Sequence, residues 1–144
     1  KGYDTRLLGL NLRLPEINAA IATVQMKKLP KFLKTREKNA KLLSKLLSKS
    51  NLDLPVERKN ENVNWYLYTI STSKRNMLLK KLNAKGIGAA SYYPIPVHKT
   101  PFYKSKTKLP ITDWAASSVL SLPIHPKVTP KNIEFIAKTV SEIL

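Results

Sequence analysis

One helical stretch, Pro15 to about Ser48, constrains what this chain can fold into more than any other feature. Pro15 suits the first helical turn, where its missing N–H goes unused, and Glu16 complements the positive end of the helix dipole. Leu14 is a poor N-cap, so another group has to satisfy the first free N–H groups. At 100° per residue, Leu29, Phe32, Leu33, Ala40, Leu43 and Leu47 fall on one stripe, and Lys27, Lys31, Lys34, Lys38, Lys41, Lys45 and Lys49 fall roughly opposite. Ile17, Ala20, Ile21 and Val24 centre about 120° away from that apolar line by the same rule. A helix with two apolar faces out of phase calls for two packing partners. The break coincides with Pro30, which costs a helix interior about 3 kcal/mol or is absorbed by a kink. The later stripe can pack on the remainder of this chain. The earlier one has little of this chain left to cover it.

Composition narrows the class. A chain of 144 residues that is 42% hydrophobic suits one domain with a core of its own. It has no cysteine, hence no disulfide or thiolate metal site, which is compatible with a cytoplasmic protein. No run of 18 or more apolar residues exists, so no membrane span is expected, and Lys1-Gly2-Tyr3-Asp4 leads into no secretory pattern. The net charge of +17 would suit a polyanion partner, but 21 of the 26 basic residues are Lys, spread through nearly every segment. Phosphate and base recognition favours clustered Arg and interleaved aromatics. A solvated basic surface is the simpler reading, and nucleic acid is not expected as the main partner.

The following segments read as a small α/β domain. Leu52 to Val56 is a short extended piece, and Trp65 to Ser71 reads as a strand from its aromatic and β-branched content. Ser73 can cap a helix to Lys85, with Gly86 as its left-handed C-cap, and Ile87 to Tyr92 returns as a second strand. Tyr92-Tyr93-Pro94-Ile95-Pro96-Val97-His98 is a stiff loop, since two prolines in three residues forbid a helix or an inner strand. It carries two phenols and an imidazole at a strand end, where α/β ligand sites lie; a turn facing the core with polar tips is the equal alternative. Thr112-Asp113-Trp114 opens a short helix, Val119 to Leu122 is a third strand, and Thr129-Pro130 starts the last helix. The residues alone show no phosphate-cradling glycine loop, no paired carboxylates and no metal-ligand spacing around His98 and His125.

A resemblance goes further. Gly9-Leu10-Asn11-Leu12-Arg13-Leu14-Pro15-Glu16-Ile17-Asn18-Ala19-Ala20 resembles the G-[YF]-N-x-R-x-x-E-[IL]-x-A-A segment of the DegT/StrS-type sugar aminotransferases, which are fold-type-I enzymes dependent on pyridoxal 5′-phosphate (PLP). Gln25 to Leu33, Asn64-Trp65-Tyr66-Leu67-Tyr68, Lys85-Gly86-Ile87-Gly88, the 92–98 loop and Leu120-Ser121-Leu122-Pro123-Ile124-His125-Pro126 are similar to further family segments in the same order. The likeness is to the family's C-terminal part only. It implies a short, largely antiparallel sheet flanked by helices (50–144), a long connecting helix kinked near Pro30 (15–49) and an entry segment from a large domain (1–14).

The resemblance implies that the Schiff-base lysine and the other PLP-binding residues lie upstream of Lys1, so no catalytic residue is expected here and the fragment alone should bind no PLP. It places Asn11 near the cofactor phosphate of a neighbouring subunit, and Arg13, Tyr92, Tyr93 and His98 on the substrate side. It also implies a homodimer in the intact enzyme and a nucleotide-linked keto-sugar as substrate. Tyr92 and Tyr66 stand where the family usually has His, and a phenol and an imidazole differ in charge and proton affinity. Two other expectations compete: a free-standing basic module for nucleic acid or acidic partners, and a regulatory relative without catalysis.

Overall fold

The computed structural model describes residues 7–10 and 12–144. Four helices and two strands follow in the order α1 (Glu16–Leu47), β1 (Tyr68–Ser71), α2 (Arg75–Ala84), α3 (Pro110–Ser118), β2 (Val119–Leu122) and α4 (Pro130–Ile143), with a 3-10 turn at Val97–Lys99. The chain divides into two compact units, the first ending at Lys31 and the second running Phe32–Leu144. Among the described residues no helix is long and apolar enough to cross a membrane.

In the first unit, Leu12 to Pro15 is without regular structure and the opening turns of α1 follow. Ile17, Ile21 and Val24 are 75%, 57% and 49% exposed, and Ala20 is exposed as well. The face set out of phase in the sequence is therefore uncovered within this chain. The helix continues through Pro30, whose missing N–H leaves the Met26 carbonyl without its helical donor.

The second unit holds the core. On α1 the burial begins at Asn39 and Ala40 and continues with Leu43 and Leu47. Leu29, Phe32 and Leu33, expected on the same buried stripe, stay more than one-third exposed; the small domain covers only the last three turns of the helix. Asn39 fixes that contact. Its buried amide Nδ2 donates to Val128 O at 3.0 Å and to Ile124 O at 3.3 Å, tying the helix to the segment that links β2 to α4. Two carbonyls that would otherwise be buried without partners are satisfied by one side chain.

β1 and β2 pair antiparallel, with Tyr68 opposite Leu122 and Ser71 opposite Val119. Thr69 and Ser121 face each other across the pair and share a hydroxyl contact of 2.9 Å. The single bridges Asp53–Ser71 and Ala90–Ser121 are all that Leu52–Val56 and Ile87–Tyr92 add to the sheet. The expected second strand is thus one bridge long. Its Ala89-Ala90-Ser91 centre carries little side chain to pack on a pleated surface. β1 also starts three residues later than its aromatic run suggests, because Trp65 takes φ +49° and turns the chain first. α2 packs against α4 and β2. Gly86 ends α2 at φ +77°, and Thr129 and Asn132 close a reciprocal capping box on α4, both as the residue types dictate.

Tyr68 is fully buried and its hydroxyl lies 2.8 Å from Ser44 Oγ. Burial pushes the phenol's pKa up, and the Ser44 hydrogen bond offsets this only in part. The unfolded chain therefore ionises first, near pH ~10. The stabilising contribution of the neutral phenol is complete below that value and is lost as pH rises through the folded pKa. Urea midpoints for the wild type and Tyr68→Phe should diverge least at the highest pH: the wild-type advantage seen near pH ~8 should shrink by about pH 11. Lysine deprotonation is common to both chains and cancels in the difference. An advantage constant with pH would show that Tyr68 ionises equally in both states.

Candidate functional site

The second unit carries one well-formed cleft of about 580 Å³, walled by α1, the turn ahead of β1, the glycines after α2 and the start of α4. Its charged and aromatic lining is Arg36, Tyr66, Tyr92, His125, Lys127 and Phe135, and no carboxylate lines it. The volume falls within the ~300–1,000 Å³ usual for small-molecule sites.

Arg36 organises one wall. Its Nη1 donates to Tyr66 O at 2.9 Å and to Trp65 O at 3.2 Å, and its guanidinium carbon lies 5.8 Å from the centre of the Tyr66 ring. The left-handed backbone of Trp65 is costly for a bulky residue, and the Arg36 bonds hold it together with Asn64 Oδ1, which accepts from Tyr66 N at 3.0 Å. Trp65 is buried and stacks on Tyr68 with centroids 6.1 Å apart, while Tyr66 is 71% exposed. The opposite wall is the Pro123–Val128 segment. There His125 Nδ1 accepts from Lys127 N at 3.3 Å, which fixes the tautomer and leaves Nε2 as the donor.

Of the residues named in the sequence for the cofactor or substrate side, Tyr92 lines this cleft, as does Tyr66, noted there only for standing where the family usually has His. Tyr93 is exposed beyond it. His98 does not line it: its side chain is 13% exposed and Nε2 lies 3.9 Å from Asp113 Oδ1 on α3, an oxygen held by Lys99 Nζ at 2.7 Å. That carboxylate ties the 3-10 turn to α3. Arg13 is exposed in the first unit, and Asn11 lies outside the described residues. Among the described residues no three His, Asp or Glu side chains gather as a metal would need. Arg36, Tyr66, His125 and Lys127 escaped selection as site residues. Arg36 had one signal, a lone arginine on a lysine-rich helix, and His125 had the Pro-Ile-His-Pro turn.

The loop before Tyr92 is set by Arg75, a buried guanidinium at the start of α2. Nη2 donates to Ala116 O at 2.9 Å, and Nη1 reaches Val119 O at 3.4 Å and the Ser91 hydroxyl. One side chain thus closes the carboxyl end of α3, where a cation suits the helix dipole, and pins the residue ahead of Tyr92.

The fold is shared with solved aminotransferases. It superposes on Streptomyces venezuelae DesV, solved in complex with a ketimine intermediate, with a TM-score of 0.89 at 30% identity, over 99% of this chain and 40% of that one. The sequence profile of the DegT/DnrJ/EryC1/StrS aminotransferase family matches residues 1–141, and the chain belongs to that family. It is 34% identical over 129 residues to the dTDP-3-amino-3,4,6-trideoxy-alpha-D-glucose transaminase of Streptomyces venezuelae, covering 86% of this chain and 34% of that protein. It is 32% identical over 147 residues to a protein of Geobacillus stearothermophilus named "Pleiotropic regulatory protein", covering 97% of this chain and 40% of that protein. The chain thus spans about 40% or less of the length of these relatives.

Proposed function

We propose that these 144 residues form the C-terminal part of a PLP-dependent aminotransferase acting on nucleotide-linked keto-sugars, and that they are not catalytic in isolation. The observation that carries this is the superposition of 99% of the chain on 40% of DesV, supported by 34% identity to a dTDP-3-amino-3,4,6-trideoxy-alpha-D-glucose transaminase. In this reading 1–14 enters from a preceding large domain, 15–49 is the connecting helix and 50–144 is the small domain. The exposed face of Ile17, Ile21 and Val24 is then a docking surface for that domain or for the second subunit of a dimer.

The lining of this cleft does not fit a PLP ring. No carboxylate lines the cleft to hold a pyridinium nitrogen, and its one lysine, Lys127, is exposed on a loop. When bound, the cofactor acts as an electron sink for amino transfer. The share of this chain is to orient and to bind. In the proposal Asn11 donates to the cofactor phosphate, and Arg13, Tyr92, Tyr93 and His98 stand on the substrate side.

Adding PLP to the purified chain should give no internal-aldimine absorbance and no transamination, because in this reading the Schiff-base lysine that anchors the cofactor belongs to the large domain. Fused behind the domain encoded immediately upstream, the same residues should support amino transfer to a nucleotide-linked keto-sugar. Stoichiometric aldimine formation at one lysine of the isolated chain would show the proposed division of labour to be wrong.

A further inference from the structure

Resting on the reading that the 92–98 loop stands on the substrate side, we propose that Asp113 is a positioning residue. It holds the far end of that loop to α3, so that Tyr92 reaches the cleft from a fixed strap. Among the described residues, no backbone–backbone hydrogen bond joins Ser91 to Ile95 to any other segment. The last backbone pairing before the strap is the Ala90–Ser121 bridge. The next lies inside the 3-10 turn, where Lys99 N donates to Pro96 O at 2.9 Å. Pro94 and Pro96 offer no donors and fix φ, with Pro96 extended at φ −57° and ψ 139°. Such a stretch is stiff along its length, and its place is decided at its ends.

Both ends are tied to one helix. At the near end the buried Arg75 guanidinium joins the Ser91 hydroxyl to the Ala116 carbonyl of α3. At the far end Lys99 Nζ lies 2.7 Å from Oδ1 of Asp113, in the first turn of α3. The turn's other polar contacts, Thr100 Oγ1 to Val97 O at 2.8 Å and Ser105 N to His98 O at 2.9 Å, stay within residues 97–108. Among the described residues Asp113 is therefore the polar link from this turn to a regular element. His98 Nε2 packs 3.9 Å from the same carboxylate oxygen, and both atoms are closed off from solvent, where a charge on Lys99 is screened less. A carboxylate in a first turn also suits the helix dipole, but that role is indifferent to Lys99. Exchanging the two charges separates the roles, since a lysine at 113 opposes the dipole while restoring the pair.

In the full 144-residue chain, isotopically labelled, Asp113→Asn and Lys99→Met should each lower the amide order parameters of Tyr93, Ile95 and Val97 toward about 0.6 and leave α2 and α4 unchanged. Lys99→Asp combined with Asp113→Lys should restore the wild-type values. Unaltered order parameters in the single variants, or an exchanged pair as mobile as either of them, would overturn the clasp whatever the longer protein does. In an active longer protein, Asp113→Asn should lower kcat/KM about two- to fivefold, the share of a half-exposed ion pair. In a Tyr92→Ala background the same change should have no further effect, because it acts through the placement of Tyr92. Equal losses in both backgrounds, or no loss in either, would overturn the positioning role. The two readings fail separately: a longer protein that transfers no amino group would sink the reaction, while the mobility of the strap would still decide the clasp.

Discussion

Leu43→Ala should cost this chain about 2–5 kcal/mol of stability, while Ile21→Ala on the same helix should stay within about 0.5 kcal/mol. Leu43 is wholly buried in the core cluster with Leu47, Leu78 and Ile133, so truncation leaves a cavity that the surrounding side chains refill only in part. Ile21 is exposed, and its removal takes away little that the folded chain had gained. Urea denaturation of the two variants measures both numbers. The second is the more informative when repeated in the longer protein of the proposal. There Ile21→Ala should cost a further 1–2 kcal/mol or more, as burial of that many methyl and methylene groups is worth at about 0.8 kcal/mol each. An equal, small effect in both contexts would remove Ile21 from any docking surface.

The other large effect is at Arg75. Arg75→Met should lower stability by about 2–4 kcal/mol, because it strands the buried Ala116 carbonyl and removes the bonds to the partly buried Val119 carbonyl and Ser91 hydroxyl. Two terms oppose each other here. Burying a guanidinium without a carboxylate beside it is itself costly, and the methionine is spared that cost. The lost bonds outweigh it because they are charge-assisted and because several acceptors are left unpaired at once. Lys80→Ala, an exposed change on the same helix, should stay within about 0.5 kcal/mol and serves as the control. Arg75→Met should also free Ser91, so limited trypsin digestion at Lys99 and Lys104 should speed up even under conditions where the variant remains folded. Unchanged cleavage would show that the 92–98 loop does not depend on Arg75.

What could be read from the sequence was local. Thr129-Pro130, Gly86 and the Val119–Leu122 strand carry their instructions within a few residues, and each stands where its chemistry puts it. The two misjudged strands fail for different reasons, one from a tertiary contact and one from weak propensity. Trp65 is drawn into the core beside Tyr68 and forces a left-handed turn on what reads as strand. Ala89-Ala90-Ser91 has too little side chain to hold a ladder beyond one bridge. The stripe through Leu29, Phe32 and Leu33 has the right helical phase, but phase says which side is apolar and not how far the partner extends.

The site was less legible than the fold. Of the residues named for the substrate side, Tyr92 reaches the cleft, while His98 spends its imidazole beside Asp113. Arg36, Asn39 and Arg75 act on partners roughly thirty to ninety residues away or at the far end of another helix, and no spacing rule announces such bonds. Family likeness supplied what periodicity could not, the sense that the 92–98 and 120–126 segments belong to a chain of the DegT/DnrJ/EryC1/StrS aminotransferase family.

The pairing of β1 with β2 sets a clock on biosynthesis. The two strands are separated by roughly fifty residues, so at ribosomal speeds β1 emerges about 3–10 s before its partner exists. The Asn39 amide waits longer still, for carbonyls at Ile124 and Val128. Through that interval Leu43, Leu47, Tyr68 and Ile70 have been translated but lack β2 and α4, the later half of their core, and the nascent chain is a natural client for a holding chaperone. Termination before Val119 leaves β1 without its partner strand and Asn39 without its carbonyls, so a premature stop there should yield an aggregation-prone product in place of a smaller folded one.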